Sequence, residues 1–153
     1  MIDVKAYHQK AGHCGPSSLK MVLGFYGVEK TERELGKLTS CRPKVGTSAD
    51  NLVKAAKGLG FKAFYKDLAE IKELRAYLRK KIPVIVNWYS VYEDHYSVVV
   101  DIDKENIYIQ DPEFGHIRSM KLDYFKKIWF GIKGDILNSQ DDLIIRRMIV
   151  IEK

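Results

Sequence analysis

Residues 9–27 read QKAGHCGPSSLKMVLGFYG. Within them Gly15, Leu19, Val22, Leu23 and Tyr26 fall on one face at helical spacing. The stretch therefore predicts an amphipathic helix that opens beside Gly15-Pro16 and ends at Gly27. Cys14 stands at its mouth. A proline in the first turn gives up an N–H that had no partner, and a glycine turns tightly and leaves room beside its neighbour. The unpaired N–H groups of a helix start favour negative charge, and the thiolate is the reactive form of cysteine. Most free cysteines are small buried hydrophobes, so Cys14 acquires chemical meaning only if a base and an orienting group reach it.

The remainder of the first half also reads as helix. Thr31 with Glu34 is a capping box that opens a short helix to about Leu38. Ser48 or Asp50 caps a third helix through Leu52, Ala55, Ala56 and Leu59, closed by Gly60. Phe61 to Tyr65 is short and extended. Asp67 with Glu70 predicts a cap for a helix that turns Leu68, Ile71, Leu74 and Leu78 inward and stops at Pro83.

The second half reads as strands. Val84-Ile85-Val86 suits a strand buried on both faces, and Tyr96 to Val100 and Ile107 to Ile109 follow, separated by turn chemistry in DKEN. Leu122, Phe125, Ile128 and Trp129 suggest one late helix, and Met148 to Ile151 a last strand. Helices first and strands later, with short connections, predict an α+β fold with an antiparallel sheet. We expect one domain over residues 1–153, mainly helical over 1–82 and mainly β over 83–153.

Composition removes several function classes. The 153 residues are 46% hydrophobic and 30% charged, enough for a core and a solvated surface. No run approaches the ~18 apolar residues of a membrane span, and the start, MIDVKAYHQK, does not read as a signal peptide. A cytoplasmic location is the expectation. The net charge of +6 comes from scattered lysines without interleaved aromatics, so nucleic acid is not the expected partner. Two cysteines, Cys14 and Cys41, do not make a disulfide scaffold. Without CxxC or HExxH, neither a metal nor another cofactor is expected. Cys41, beside Arg42 and Pro43, reads as structural.

Four histidines could serve Cys14. His8 and His13 sit in a loop, and His116 lies beyond the turn at Pro112 to Gly115. His95 heads the strand HYSVVV, where a rigid element can present a polar group to a cleft. A hairpin turning around Asp103 would set His95 opposite Asp111 on one sheet face, with Cβ atoms roughly 5 Å apart. Asp111 could then hold the imidazole in one tautomer. A register slip of one residue would separate the two onto opposite faces. Gln9 could donate its amide to an oxyanion, together with the Cys14 N–H.

Assembled, Gln9, Cys14-Gly15-Pro16, His95 and Asp111 resemble the working set of papain-like cysteine peptidases. More narrowly, the chain is similar to the bacteriocin-processing, double-glycine leader peptidase family and its stand-alone relatives. The first block of that family appears as QKAGHCGPSSLKMVLGFYG, and the second as HYSVVVDID followed by IYIQDP. GTSADNLVKAAKGLGF resembles its middle helix and KKIPVIVNW the strand before the histidine. The resemblance runs from about Tyr7 to Phe130. It implies two lobes, a helical one carrying the thiol and a sheet carrying the histidine and aspartate, with an extended peptide in the cleft between them. It implies hydrolysis by Cys14, His95 and Asp111 with Gln9 in the oxyanion hole, and no cofactor. Exporter-linked members remove leaders after Gly-Gly; a separately encoded exporter is left open as a partner. Here His13 stands before the thiol where those members usually carry an acid, and Gln9 is one residue nearer the thiol than is usual, which leaves double-glycine specificity open. Gly15, Trp88, Tyr89 and Tyr92 are candidates for the substrate wall, with Trp88 equally suited to cap the core. A thiol acyltransferase of transglutaminase type would use the same residues, and a peptide-binding module without catalysis would not need them.

Overall fold

The structure is a computed structural model that describes residues 1–91 and 93–153. Three helices come first: α1 (Cys14–Phe25), α2 (Glu32–Leu38) and α3 (Ala49–Gly58). Strand β1 (Lys62–Lys66) and helix α4 (Ile71–Arg79) lead into β2 (Val84–Ser90), β3 (Glu93–Ile102), β4 (Asn106–Asp111) and β5 (His116–Lys121). Helix α5 (Leu122–Ile128), the short strands β6 (Phe130–Ile132) and β7 (Leu143–Ile145), and β8 (Arg147–Glu152) complete the chain.

Six strands form one sheet in the order β1-β8-β2-β3-β4-β5, antiparallel at every junction, and β6 pairs with β7 alongside. The α+β class is as the sequence predicts. The halves are less segregated than expected, because β1 from the helical half pairs along its whole length with β8 near the end of the chain. Val84, Ile85 and Val86, and likewise Val98, Val99 and Val100, are buried without alternation. Such strands are covered on both faces.

Local chemistry sets the helix boundaries. Thr31 and Glu34 make the expected capping box, the Glu34 N–H donating to Thr31 Oγ1 at 3.0 Å and the Thr31 N–H to Glu34 Oε2 at 2.7 Å. Ser48 Oγ accepts from the Asn51 N–H and opens α3. The start of α4 is different from the expectation. Glu70, not Asp67, is its cap, while Asp67 pairs with Arg147 at 2.6 Å and Leu68 is exposed. The reason is tertiary: the Leu68 and Ala69 N–H groups donate to the Ile145 and Arg146 carbonyls, which holds this segment to the end of β7 and outside the helix.

Helix α1 carries the core. Leu19, Val22 and Leu23 are fully buried, each burial contributing roughly 1.5–3 kcal/mol. Gly15 lies where α1 meets Thr47, with Tyr96 of β3 and Leu52 of α3 behind it. A Cβ at Gly15 would run into the Thr47 methyl, whose hydroxyl is tied to the Thr39 carbonyl at 2.8 Å. Gly15→Ala should therefore destabilise the fold by about 1–3 kcal/mol in urea unfolding. The loss should largely vanish in a Thr47→Ser background, which keeps the hydroxyl and drops the methyl. An equal loss in both backgrounds would show that this contact is not the cause.

Candidate active site

Cys14 is the first residue of α1, and the helix bonding begins with the Ser17 N–H on the His13 carbonyl at 3.0 Å. His13 gives no side-chain cap and the first turn holds no acidic residue, so the positive helix end is left to the thiol. Lys10 and Ser17 are fastened to Glu32 of α2: the Lys10 N–H and the Ser17 hydroxyl both donate to Glu32 Oε2, at 3.0 and 2.7 Å. Glu32 is 4% exposed, and it ties the loop from Gln9 to Cys14 down onto the helical lobe.

On the sheet side, His95 and Asp111 come together as expected, though by a different register. Val98 pairs with Gln110 and Val99 with Ile109, whereas Asp101 pairs with Tyr108 and Ile102 with Ile107. Val100 is the extra residue of a β-bulge. Continued past Val98, the register sets Asp111 across from Ser97, so His95 is its diagonal neighbour on the same face. Continued from Asp101 without the bulge, it would set Asp111 across from Val98 and send His95 to the other face. His95 Nε2 lies 2.6 Å from Asp111 Oδ1, with His95 2% and Asp111 0% exposed. The Asp111 bond uses one ring nitrogen, and His95 and Cys14 line the same cleft.

Three effects set the charge of the ring. Burial pulls the imidazolium down, but the hydrogen bonds and charges of Asp111 and Cys14 lift it further, to about 10 against an ordinary 6.5. Because the folded value is raised, the stability this brings is fully present below pH 6.5 and lost as pH rises through about 10. Burial also raises the Asp111 carboxyl, but His95, Arg118 and the Glu113 N–H outweigh it and hold it below the ordinary range.

Cys14 and His95 open into a cleft of about 880 Å³ that also exposes Gln9, Gly12, Tyr89, Asp94 and Glu113. Gln9 is held there by its own N–H, which donates to the Pro112 carbonyl at 2.8 Å, immediately after Asp111. Among the described residues its side-chain Oε1 is shut from solvent and has no hydrogen-bond partner. Tyr89 stacks on Phe130 at 5.1 Å between ring centroids and lines the cleft. Two other expected wall residues do not reach it. Trp88 is 2% exposed and packs its ring edge-on to His95 at 5.7 Å, with its N–H on Ser97 Oγ. It braces the imidazole from inside the core because its place opposite His95 in the β2–β3 ladder turns it inward. Gly15 is buried against Thr47 and serves packing. Tyr92 lies outside the described residues.

The other histidines take no part in the pair. His13 Nδ1 faces the Ala11 carbonyl, His116 is exposed on β5, and His8 stands on the cleft rim. Cys41 bonds the Gly12 carbonyl at 3.4 Å, and burial pushes its thiol up to about 11, which keeps it unreactive. Donor atoms of His95, Asp111 and Glu113 lie within 4.8 Å of one another and could face a metal ion. The His95 nitrogen and both Asp111 oxygens are already engaged by each other, by the Glu113 N–H and by Arg118.

Four residues of the site were not read from the sequence. Glu32, next to the capping Thr31, carried no signal of its own. Arg118 sits on β5, a strand not anticipated. Glu113 looked like part of a turn, yet its Oε2 comes 3.9 Å from His95 Nε2. Asp94, directly before His95, was the most findable, since an acid beside a candidate base is a signal in itself.

The comparisons give the class. The model of the Peptidase C39 family matches residues 4–133, and the chain belongs to that family. An uncharacterised protein of Methanothermobacter marburgensis is 36% identical over 132 residues, covering 84% of this chain and 85% of its own. The lactococcin-G-processing and transport ATP-binding protein LagD of Lactococcus lactis is 31% identical over 129 residues; these cover 82% of this chain and 18% of that protein. Among solved structures, the peptidase domain of Streptococcus ComA, a bi-functional ABC transporter, superposes with a TM-score of 0.78 at 25% identity, covering 98% of each chain. A double-glycine-motif protease from an AMS/PCAT transporter, solved with its leader peptide, shares the fold with a TM-score of 0.75 at 22% identity, covering 99% of this chain and 92% of its own.

Asp94 provides a test of the cleft. Burial raises its carboxyl to about 6 from an ordinary 3.8, against the Ile132 N–H, which donates to Asp94 Oδ1 at 3.2 Å. Among the described residues it has no ion-pair partner. A raised acid stabilises the fold below pH 3.8 and loses that contribution as pH rises through about 6. Asp94→Asn should therefore gain thermal stability over the wild type across that interval and hold the gain above it. Parallel melting temperatures at every pH would contradict this.

Proposed function

We propose that the protein is a cysteine peptidase that hydrolyses a peptide bond with Cys14 as nucleophile, His95 as acid and base, Asp111 as the group that orients His95, and Gln9 as oxyanion donor. The buried 2.6 Å bond from His95 to Asp111, in the cleft that Cys14 also lines from the start of α1, is the observation that carries the proposal. Membership of the Peptidase C39 family supports it.

The thiolate sulfur attacks the carbonyl carbon of the scissile bond, and the charge moves to the carbonyl oxygen. The Cys14 N–H and the Gln9 amide receive that oxyanion; one such donor is worth roughly 3 kcal/mol in the transition state. As the tetrahedral species collapses, the C–N bond breaks and the imidazolium gives its proton to the leaving amine. An acyl thioester remains on Cys14 and the ring is neutral. It then takes a proton from water, the hydroxide adds to the thioester, and the C–S bond breaks to restore thiolate and imidazolium. Asp111 keeps its charge throughout and holds the ring in one tautomer.

The substrate we infer is an extended peptide lying past Tyr89. Similarity to a bacteriocin-processing protein and to a protease solved with a leader peptide supports leader-peptide removal. His13 and the shorter spacing from Gln9 to Cys14 are departures that bear on the cleavage sequence.

A screen of diverse peptides, with mass spectrometry of products and of the acyl-enzyme, tests the proposal. Cys14→Ala should keep its fold and lose turnover by at least about a thousandfold, and His95→Ala by a similar factor, because the members act as a unit. Full turnover by Cys14→Ala would overturn the proposal. An added amine acceptor should leave the free acid as the main product; amide product in its place would transfer the same residues to the acyltransferase reading.

A further inference from the structure

We propose that Arg118 is a positioning residue for catalysis: its guanidinium locks the Asp111 carboxylate onto His95 and keeps it ionised. This rests on the peptidase reading of Cys14, His95 and Asp111. Asp111 is 0% exposed, and a buried carboxylate retains its charge only where other groups replace the lost water. Oδ1 is taken by His95 and, at 3.0 Å, by the Glu113 N–H. Oδ2 accepts from Arg118 Nη1 at 2.9 Å. With both oxygens held, the carboxylate cannot rotate away from the ring.

The sheet delivers Arg118 to this place. Arg118 pairs with Ile109 across β4 and β5, which puts it on the face of Asp111, two residues along. The guanidinium then lies over the Phe114 ring at 4.5 Å and the Trp88 ring at 5.7 Å. Trp88 in turn stands edge-on to His95. The planar cation thus spans the acid and the aromatic that braces the imidazole, with 29% of its side chain exposed while the pair beneath is shut away. Stacking of this kind suits arginine and not lysine.

Among the described residues, the charged and titratable groups around the His95–Asp111 pair are Cys14 from α1, Asp94 from β3, Glu113 from the turn and Arg118 from β5. Arg118 is the cation facing Asp111. An opposite charge at this range lowers a carboxyl by ~1–3 pH units. Its removal lets Asp111 take a proton at higher pH, and a protonated Asp111, no longer clamped through Oδ2, ceases to fix the ring beside Cys14 until the pH is higher. The acid limb of Cys14 reactivity therefore moves up.

The test reads that limb without a substrate. The full chain is alkylated with iodoacetamide across the pH range, and mass spectrometry separates modification of Cys14 from that of Cys41. The wild type should react rapidly at Cys14 from mildly acidic pH. Arg118→Met should move the acid limb up by about one pH unit and slow alkylation on that limb about tenfold. Arg118→Gln, which keeps a donor without the charge, should behave the same way and covers failure of the methionine variant to fold. Arg118→Lys should recover most of the wild-type position. The same shift in a Glu113→Gln background assigns the limb to Asp111. A melting temperature lowered by the neutral variants with the acid limb unmoved would reduce Arg118 to a structural ion pair and overturn the proposal. A wild-type Cys14 no faster than Cys41 would instead overturn the peptidase reading beneath it.

Discussion

The hydrogen bond between His95 and Asp111 is the constraint around which this fold is organised. Both groups are nearly or wholly without solvent, and the bond is 2.6 Å long. A buried ion pair repays its desolvation only with good geometry and with its remaining valences filled. Here the Glu113 N–H and Arg118 fill those of Asp111, and Trp88 closes the edge of the imidazole. Removing one partner from such a pair typically costs about 3–5 kcal/mol, so the surrounding strands are held as much by this pair as they hold it.

A single extra residue makes the bond available. Val100 bulges from β3, and the parity of every side chain before it changes relative to β4. The bulge leaves the hairpin turn, where Asp103 Oδ1 accepts from the Glu105 and Asn106 N–H groups, in one register, and the site end in another. At the other side of the cleft the order is imposed by a loop. The Gln9 N–H is tied to the Pro112 carbonyl and Lys10 to Glu32, so one short segment bridges the sheet lobe and the helical lobe just before the thiol. The distance from thiol to imidazole is thus set by connections on both sides of Cys14.

What could be read in advance follows from the range of the interactions. The capping box of Thr31 and Glu34, the cap at Ser48 and the apolar face of α1 are local patterns, and each appears where it was expected. The pairing of β1 with β8 joins residues more than eighty positions apart, and nothing within either segment encodes its partner. Leu68 was misplaced for the same reason, since the distant Ile145 carbonyl at the end of β7 holds its N–H out of the helix. In the site, Cys14, His95 and Asp111 announce themselves by residue type and local context, and the expectation that the last two share a face survives. It survives because the register differs from the expected one by an even step at that point, which the bulge decides and no propensity reveals. Arg118 stayed invisible because its part depends on β5, a mostly exposed edge strand in which only weak alternation marks HIRSMK. Trp88 carried two readings, and burial in the β2–β3 ladder selected the inner one.

The peptidase reading rests on one physical statement that can be measured: the imidazole of β3, bonded to the buried Asp111, stays protonated at neutral pH. Titration of the His95 ring by nitrogen-detected NMR measures it directly. The account predicts an imidazolium that persists through neutrality and gives up its proton only near pH 10, well above the ordinary 6.5. A ring that is already neutral at pH 7 in the wild-type protein, titrating at or below 6.5, would contradict it.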